Sequence, residues 1–385
     1  MKPLASPLDS PENRIILACG RASLDQGWLE VIDTALDDIS DWPLLTRHAE
    51  THGLLPLVAW HLRQNFISKL PSNAEKLLRD GFVANSIHAL QFTQELVSVI
   101  NLFSVNSITA LAYKGPTLAE TVYASVGLRV FRDLDIFVRE EDFGLARHLL
   151  EERGYRSAYS LTPARRSALC SSGNHELLID TKGSRVELHW KTTKKTYPFP
   201  LDHNHLWNRA TPVKLGDASI LSIALEDLLL MLAVHGSSHG WSRLEWVATY
   251  GELLRQSVRT DWNLVFDRAI SLGIRRVLVV AIELASIVVD APHPEGYVYR
   301  LQPTDRERSV ARGLAQSILA QTASSFARVV YQFAIRETTA ERVKLACTSL
   351  FSPSHEDWAV VDLPDRLYPL YYAVRPVRLV ASYVR

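Results

Sequence analysis

The hydrophobic period of this chain changes twice. From about Trp28 to Ile108, apolar residues recur at the three-to-four-residue spacing of a helix buried on one face. From about 100 to 195, short runs instead alternate apolar and polar residues and end at glycines or turn residues. From Ile223 to about Phe351 the helical spacing returns. A helical pattern cannot bury its apolar face as a strand, nor an alternating one as a helix. The pattern therefore predicts an α+β fold: a small mixed β-sheet core flanked by helices, with a largely α-helical C-terminal domain.

Local signals divide the chain further. Residues 1–13 read as a flexible leader, 14–99 as an N-terminal helical region and 100–220 as the sheet-bearing core. Residues 221–350 read as a helical domain, and 351–385 as an irregular wrap with a short helix. "SNAEKLLRDGFVANSIHALQFTQELVSVINLF" reads as one or two long helices capped by Ser72 or Asn73. "ITALAYKG" and "LDIFV" read as strands, with Pro116 starting a helix between them. "REEDFGLARHLLEERGY" places acids in a predicted first turn, Phe143, Ala146, Leu149 and Leu150 on the apolar face, and Gly154 at the stop. "HELLIDTKGSRVELHWK" reads as two strands joined by a turn at Thr181–Gly183, and a further hairpin is expected near 212–220 after the link "TYPFPLD".

Two of these strands carry chemistry. Alternation puts Leu134, Ile136 and Val138 on one face of a strand, and Asp133, Asp135 and Phe137 on the other. The two aspartates then have Cα atoms about 6.5–7 Å apart, and their carboxylates can converge. Bare carboxylates held close repel, and a hard divalent cation removes that cost. In "SRVELHW", Arg185, Glu187 and His189 share a face, so Glu187 supplies a third carboxylate if the two strands are neighbours. Acid pairs at strand ends are usually only solvated; the combination with "AYKG" upstream and "VELHW" downstream gives these three a task. Lys114 and Gly115 stand at a strand-to-helix turn that suits phosphate. Arg129 and Arg132 can neutralise phosphate oxygens or pair with nearby acids.

The balance of charge excludes some classes. Lys plus Arg equals Asp plus Glu, 42 each, so nothing argues for bulk nucleic-acid binding. Cys19, Cys170 and Cys347 are scattered and form no CxxC pair, which argues against a disulfide scaffold or zinc knuckle and fits a cytoplasmic protein. The Pro/Ser-rich start does not read as a signal peptide. The most apolar stretch, "VLVVAIELASIVV", is interrupted by Glu283 and is shorter than the ~20 residues of a membrane span, so it reads as a buried core helix.

Taken together, "AYKGPTLAETVYASVGLRVFRDLDIFV", "HELLI…VELHW" and "LLMLAVHGSSHGWSRLEWV" resemble the uncharacterised nucleotidyltransferase family of bacteria, a branch of the DNA polymerase beta-type nucleotidyltransferase superfamily. The resemblance covers roughly residues 30–350. It implies a nucleotidyltransferase core and transfer of a nucleoside monophosphate from an NTP, with ATP the first choice, using Mg²⁺ or Mn²⁺. By position it makes Asp133 and Asp135 the metal-binding pair and Glu187 the third carboxylate. It sets Lys114 and Gly115 at the turn that cradles the phosphates; Arg129, Arg132 and His189 join them as nucleotide-binding candidates from the residue reading alone, His189 as a substrate-orienting, proton-carrying or structural histidine. Lys114 and Gly115 replace the superfamily's usual Gly-Ser turn. Similar proteins accompany capsular polysaccharide and lasso-peptide pathways, so a small molecule, sugar or peptide is the expected acceptor, with partner proteins of a biosynthetic cluster. The alternatives are a non-catalytic nucleotide-binding scaffold, a regulatory or antitoxin-like partner protein, and a hydrolase using the same site.

His235 and His239 lie four apart in "HGSSHGW", without the glutamate of a zinc-protease helix, so packing or cleft lining is expected over metal binding. His175 and His189 are expected to flank the cleft. In the tail, Arg375 and Arg378 among aromatics read as packing in preference to membrane contact.

Overall fold

The structure is a computed structural model and describes residues 10–194, 203–320 and 325–384. The chain opens with four short helices, α1 (Pro11–Ala18), α2 (Gln26–Asp37), α3 (Trp42–Thr51) and α4 (Leu55–Asn65). Helix α1 starts within the stretch expected as a leader, because Ser10 caps it by accepting a hydrogen bond from the Asn13 amide at 3.2 Å. The 34-residue α5 (Ser72–Val105) follows as a single helix. Its N-cap is Pro71, one residue before the expected Ser72 or Asn73: the Pro71 carbonyl accepts the first helical bond, from Glu75 N at 2.9 Å.

The core block then alternates strands and helices. Its strands are β1 (Ala110–Ala112), β2 (Leu134–Val138), β3 (Arg156–Ser157), β4 (His175–Ile179) and β5 (Arg185–His189). Helices α6 (Gly115–Tyr123), α7 (Phe143–Glu152) and α8 (Pro163–Ser172) connect them. The sheet order is β1-β2-β5-β4-β3, antiparallel except for the β2–β5 pair. The acids Glu140, Glu141 and Asp142 precede α7 and do not form its first turn, since Asp142 is already the N-cap. Its buried face is the one read from the spacing: Phe143, Ala146, Leu149 and Leu150. The link 196–202 lies outside the described residues. After it come α9 (His203–Arg209) and the hairpin β6 (Thr211–Leu215)–β7 (Ala218–Ser222), which lies against β1.

The sheet separates two apolar cores. Leu134, Ile136, Val138, Val186 and Leu188 face α7 and the C-terminal half of α5, where Ala89, Phe92, Leu96, Val99 and Phe103 follow one helical stripe. Burying each large side chain there stabilises the fold by roughly 1.5–3 kcal/mol. Leu111, Tyr113 and Phe137 belong to the second core, shared with the helical domain.

That domain comprises α10 (Leu225–Ser238), α11 (Leu244–Arg255), α12 (Trp262–Ser271), α13 (Arg275–Val289), α14 (Tyr297–Leu301), α15 (Asp305–Leu319) and α16 (Ser325–Ala334). The apolar stretch read as a core helix is α13, packed on α10, α11 and α15. Its Glu283 is buried and accepts a hydrogen bond from the Tyr297 hydroxyl at 2.9 Å. Helices α17 (Thr339–Phe351), α18 (His355–Val360) and α19 (Tyr371–Val384) complete the chain. Arg375 and Arg378 both donate to the buried Asp357, so the tail's cations serve its packing. No helix among the described residues is long and apolar enough to cross a membrane.

Candidate active site

Strand pairing assembles a polar cluster on the sheet face that looks toward the helical domain. Across the parallel pair, Asp135 lies opposite Glu187 and Phe137 opposite His189. Across the antiparallel β4–β5 pair, His175 lies opposite His189. Asp133 immediately precedes β2 and is half-buried on the same side. The three carboxylates expected on one face are therefore on one face.

Lys114 is the N-cap of α6, and its ammonium donates to Asp135 Oδ1 at 2.7 Å. Gly115 follows in the left-handed region at φ +56°, where a side chain would be strained, and a Cβ there would meet the Asp133 carbonyl at 3.4 Å. This tight turn brings Lys114 onto β2. His189 Nε2 lies 3.2 Å from the same Asp135 oxygen, 3.3 Å from Glu187 Oε2 and 3.4 Å from the Tyr113 hydroxyl. His189, expected to flank the cleft, lines it and is buried between the two carboxylates. His175 Nε2 stands 3.7 Å from Glu187 Oε1.

The electrostatics divide the carboxylates. Burial pushes Asp133 up, the Asp135 and Glu187 charges add to it, and its pKa is about 6. Asp133 has no hydrogen bond or ion pair among the described residues. Burial would raise Asp135 too, but Lys114 and His189 outweigh it and hold Asp135 well below the usual range. Burial opposes ionisation of Glu187 as well, yet the His189 hydrogen bond lowers it to about 2. Burial lowers His189, and its bonds to Asp135 and Glu187 reverse this and carry it up. His175 is lowered to about 3, by burial and then by His189.

The cluster faces a cavity of about 600 Å³, whose opposite wall is α10 and the start of α11. His235, His239 and Trp246 form a ring cluster there, with centroids 4.7–5.4 Å apart. The histidines thus line the cleft, the second of the two expected roles. Burial, then the Lys114 charge, holds His239 at about 4 and His235 well below its ordinary value, so both are neutral near pH 7. Gly236 lets α10 end in this way: a Cβ there would meet the Trp241 ring at 2.6 Å.

The arginines separate. Arg129 is buried and pairs with Glu245 Oε1 at 2.7 Å, so its charge is already met. Arg132 is exposed at the cleft and has no ion pair among the described residues. Glu245 also contacts Arg243 at 3.0 Å. Sequence reasoning missed Glu245, because an acid in the first turn of a helix is an ordinary feature and its burial is not local information. It also missed Lys194, which lines the cleft.

Residues 38–290, well over half of the chain, match the family model described as "Uncharacterised nucleotidyltransferase". None of the curated proteins matches.

Proposed function

We propose, from the premise that this chain belongs to the uncharacterised nucleotidyltransferase family, that it moves a nucleoside monophosphate from an NTP to the hydroxyl of a small-molecule, sugar or peptide acceptor. The observation that carries this reading is the register of Asp135 opposite Glu187, with Asp133 beside them, at the floor of a 600 Å³ cleft.

The donor set fits a divalent ion. Asp133 has no partner among the described residues and is pushed up by the neighbouring carboxylates, which is the environment a cation relieves. Asp133, Asp135 and Glu187 would hold Mg²⁺ or Mn²⁺. Such an ion, when bound, supplies charge neutralisation at the phosphates and acidifies an attacking hydroxyl.

The chain's own residues do the rest. Lys114 and the exposed Arg132 neutralise the triphosphate, and amides at the start of α6 add donors, Pro116 excepted. The cleft holds donor and acceptor so that the hydroxyl attacks the α-phosphorus in line. The new O–P bond forms as the bond to pyrophosphate breaks, and the acceptor proton passes to a carboxylate of the set. We take ATP as the first donor to test, and the cytoplasm as the compartment that supplies it.

The Lys114–Asp135 pair favours one second reading, a nucleotide-binding scaffold without turnover, in which Lys114 permanently replaces the ion. Calorimetry with a non-hydrolysable ATP analogue, with and without Mg²⁺, tests the first reading on wild type and Asp133→Asn/Asp135→Asn. Binding that needs both Mg²⁺ and the aspartates supports it. Mg²⁺-independent binding that survives the double substitution leaves the scaffold. No binding of any of the four NTPs by a folded wild type removes both.

A further inference from the structure

The polar face holds a second set of ligands beside the aspartates. His175 and His189 are cross-strand partners, and Glu187 lies two residues before His189 on the same face. One ligand atom from each of the three lies within 4.8 Å of the others. Two ligands each about 2.1 Å from an ion at a tetrahedral angle are roughly 3.4 Å apart. The observed His189–Glu187 and His175–Glu187 separations are 3.3 and 3.7 Å.

Hydrogen bonding orients these rings for such a role. His175 Nδ1 lies 3.2 Å from the side-chain oxygen of the buried Asn174. In the tautomer that donates from Nδ1, the Nε2 lone pair faces Glu187, at a distance too long for a hydrogen bond. A lone pair facing a carboxylate is repulsive unless a cation lies between them. An imidazole whose far nitrogen is fixed by an oxygen is the usual support of a metal ligand. His189 directs its Nε2 to the same carboxylate and also to Asp135 Oδ1, at 3.3 and 3.2 Å, and its Nδ1 is buried without a partner. All four residues line the cleft, which leaves open coordination positions toward solvent or substrate.

We propose that His175, Glu187 and His189 bind one imidazole-preferring ion of the Zn²⁺ or Co²⁺ class, at a position that does not need the oxygen ligand Asp133. Two nitrogens and one carboxylate suit such ions, whereas Mg²⁺ and Ca²⁺ prefer oxygen alone. The site shares Glu187 with the transfer reading and does not depend on it: it can fill in a chain that binds no nucleotide.

The test uses the full chain, stripped with a chelator, without nucleotide. Zn²⁺ binding is measured by calorimetry, and Co²⁺ binding by its visible absorption bands, in wild type, His175→Ala and Asp133→Asn. The expected result is one tightly bound ion in wild type, at least tenfold weaker binding in His175→Ala, and binding within threefold of wild type in Asp133→Asn. Should His175→Ala lower the melting temperature, His175→Gln replaces it. A folded wild type that binds neither ion overturns the proposal. So does equal affinity in the His175 variant, or a tenfold loss in Asp133→Asn, which would mean a single oxygen-anchored ion. Mg²⁺-dependent nucleotide binding is read in its own titration, so its failure leaves this result standing.

Discussion

The Lys114 ammonium sits 2.7 Å from Asp135 Oδ1, so the carboxylate assigned to an ion already has a positive charge beside it, supplied from the turn between β1 and α6. Both side chains are shielded, 13% and 2% exposed, and neither is screened as a surface pair would be. Lys114 must leave Asp135, at least in part, for an ion to take its place and for its charge to reach a phosphate.

Lys114→Met should therefore separate two effects. Removing one partner of a buried pair costs about 3–5 kcal/mol of stability, and the contact of Asp135 with His189 puts this one at the low end. Mg²⁺ affinity measured without nucleotide should rise several-fold, since Asp135 is released, while transfer should fall on the order of 100-fold. Urea unfolding, Mg²⁺ calorimetry and release of pyrophosphate read the three quantities. Weaker Mg²⁺ binding in a folded variant would show that Lys114 does not compete with the ion.

Asp133 gives a pH dependence with a defined sign. Its pKa is about 6 in the fold against an ordinary 3.8, so between those values the folded state holds the proton more tightly than the unfolded one. Stability contributed by this group is full below about pH 4 and is lost as pH rises through 6. Asp133→Asn removes the loss, so the metal-free variant should exceed wild type by about 3 kcal/mol at pH 7.5 and nearly match it near pH 4. Thermal melts in chelator across that range decide it; a variant less stable at pH 7.5 would contradict the crowding of the carboxylates.

Metal removal should complement this. In millimolar Mg²⁺ the wild-type melting temperature should rise, by the amount that binding to the folded state alone dictates. Asp135→Asn should show little rise and a loss of transfer on the order of 1,000-fold. A rise equal to wild type would place the ion elsewhere.

Glu245→Gln should act on the fold before the chemistry. Glu245 is buried and meets both Arg129 and Arg243, so neutralising it strands the Arg129 guanidinium at a cost of about 3–5 kcal/mol. The double variant Arg129→Met/Glu245→Leu should recover most of that loss in urea unfolding. If it recovers transfer as well, Arg129 has no part in phosphate binding.

The readings that succeeded were local ones. Alternation along β2 placed Asp133 and Asp135 on one face because side-chain direction in a strand repeats every two residues, whatever the neighbours are. The apolar face of α7 followed from helical spacing in the same way. The cap of α5 and the acids before α7 were misplaced by one to three residues, because helix ends depend on which carbonyl accepts the first bond.

The amino-acid sequence by itself determined the switch from helix to sheet and back, the core helix over Val277–Val289, and the pairing of two aspartates on one strand face. These depend on residues within a few positions of each other, so the chain carries them without a fold. Only the tertiary structure decided that β5 lies parallel to β2 with Glu187 opposite Asp135, that Lys114 reaches Asp135 across 21 positions, and that Arg129 is met by Glu245. Strand register, the burial of a charge and the partner that compensates it are set by packing between distant segments, and no local pattern encodes them.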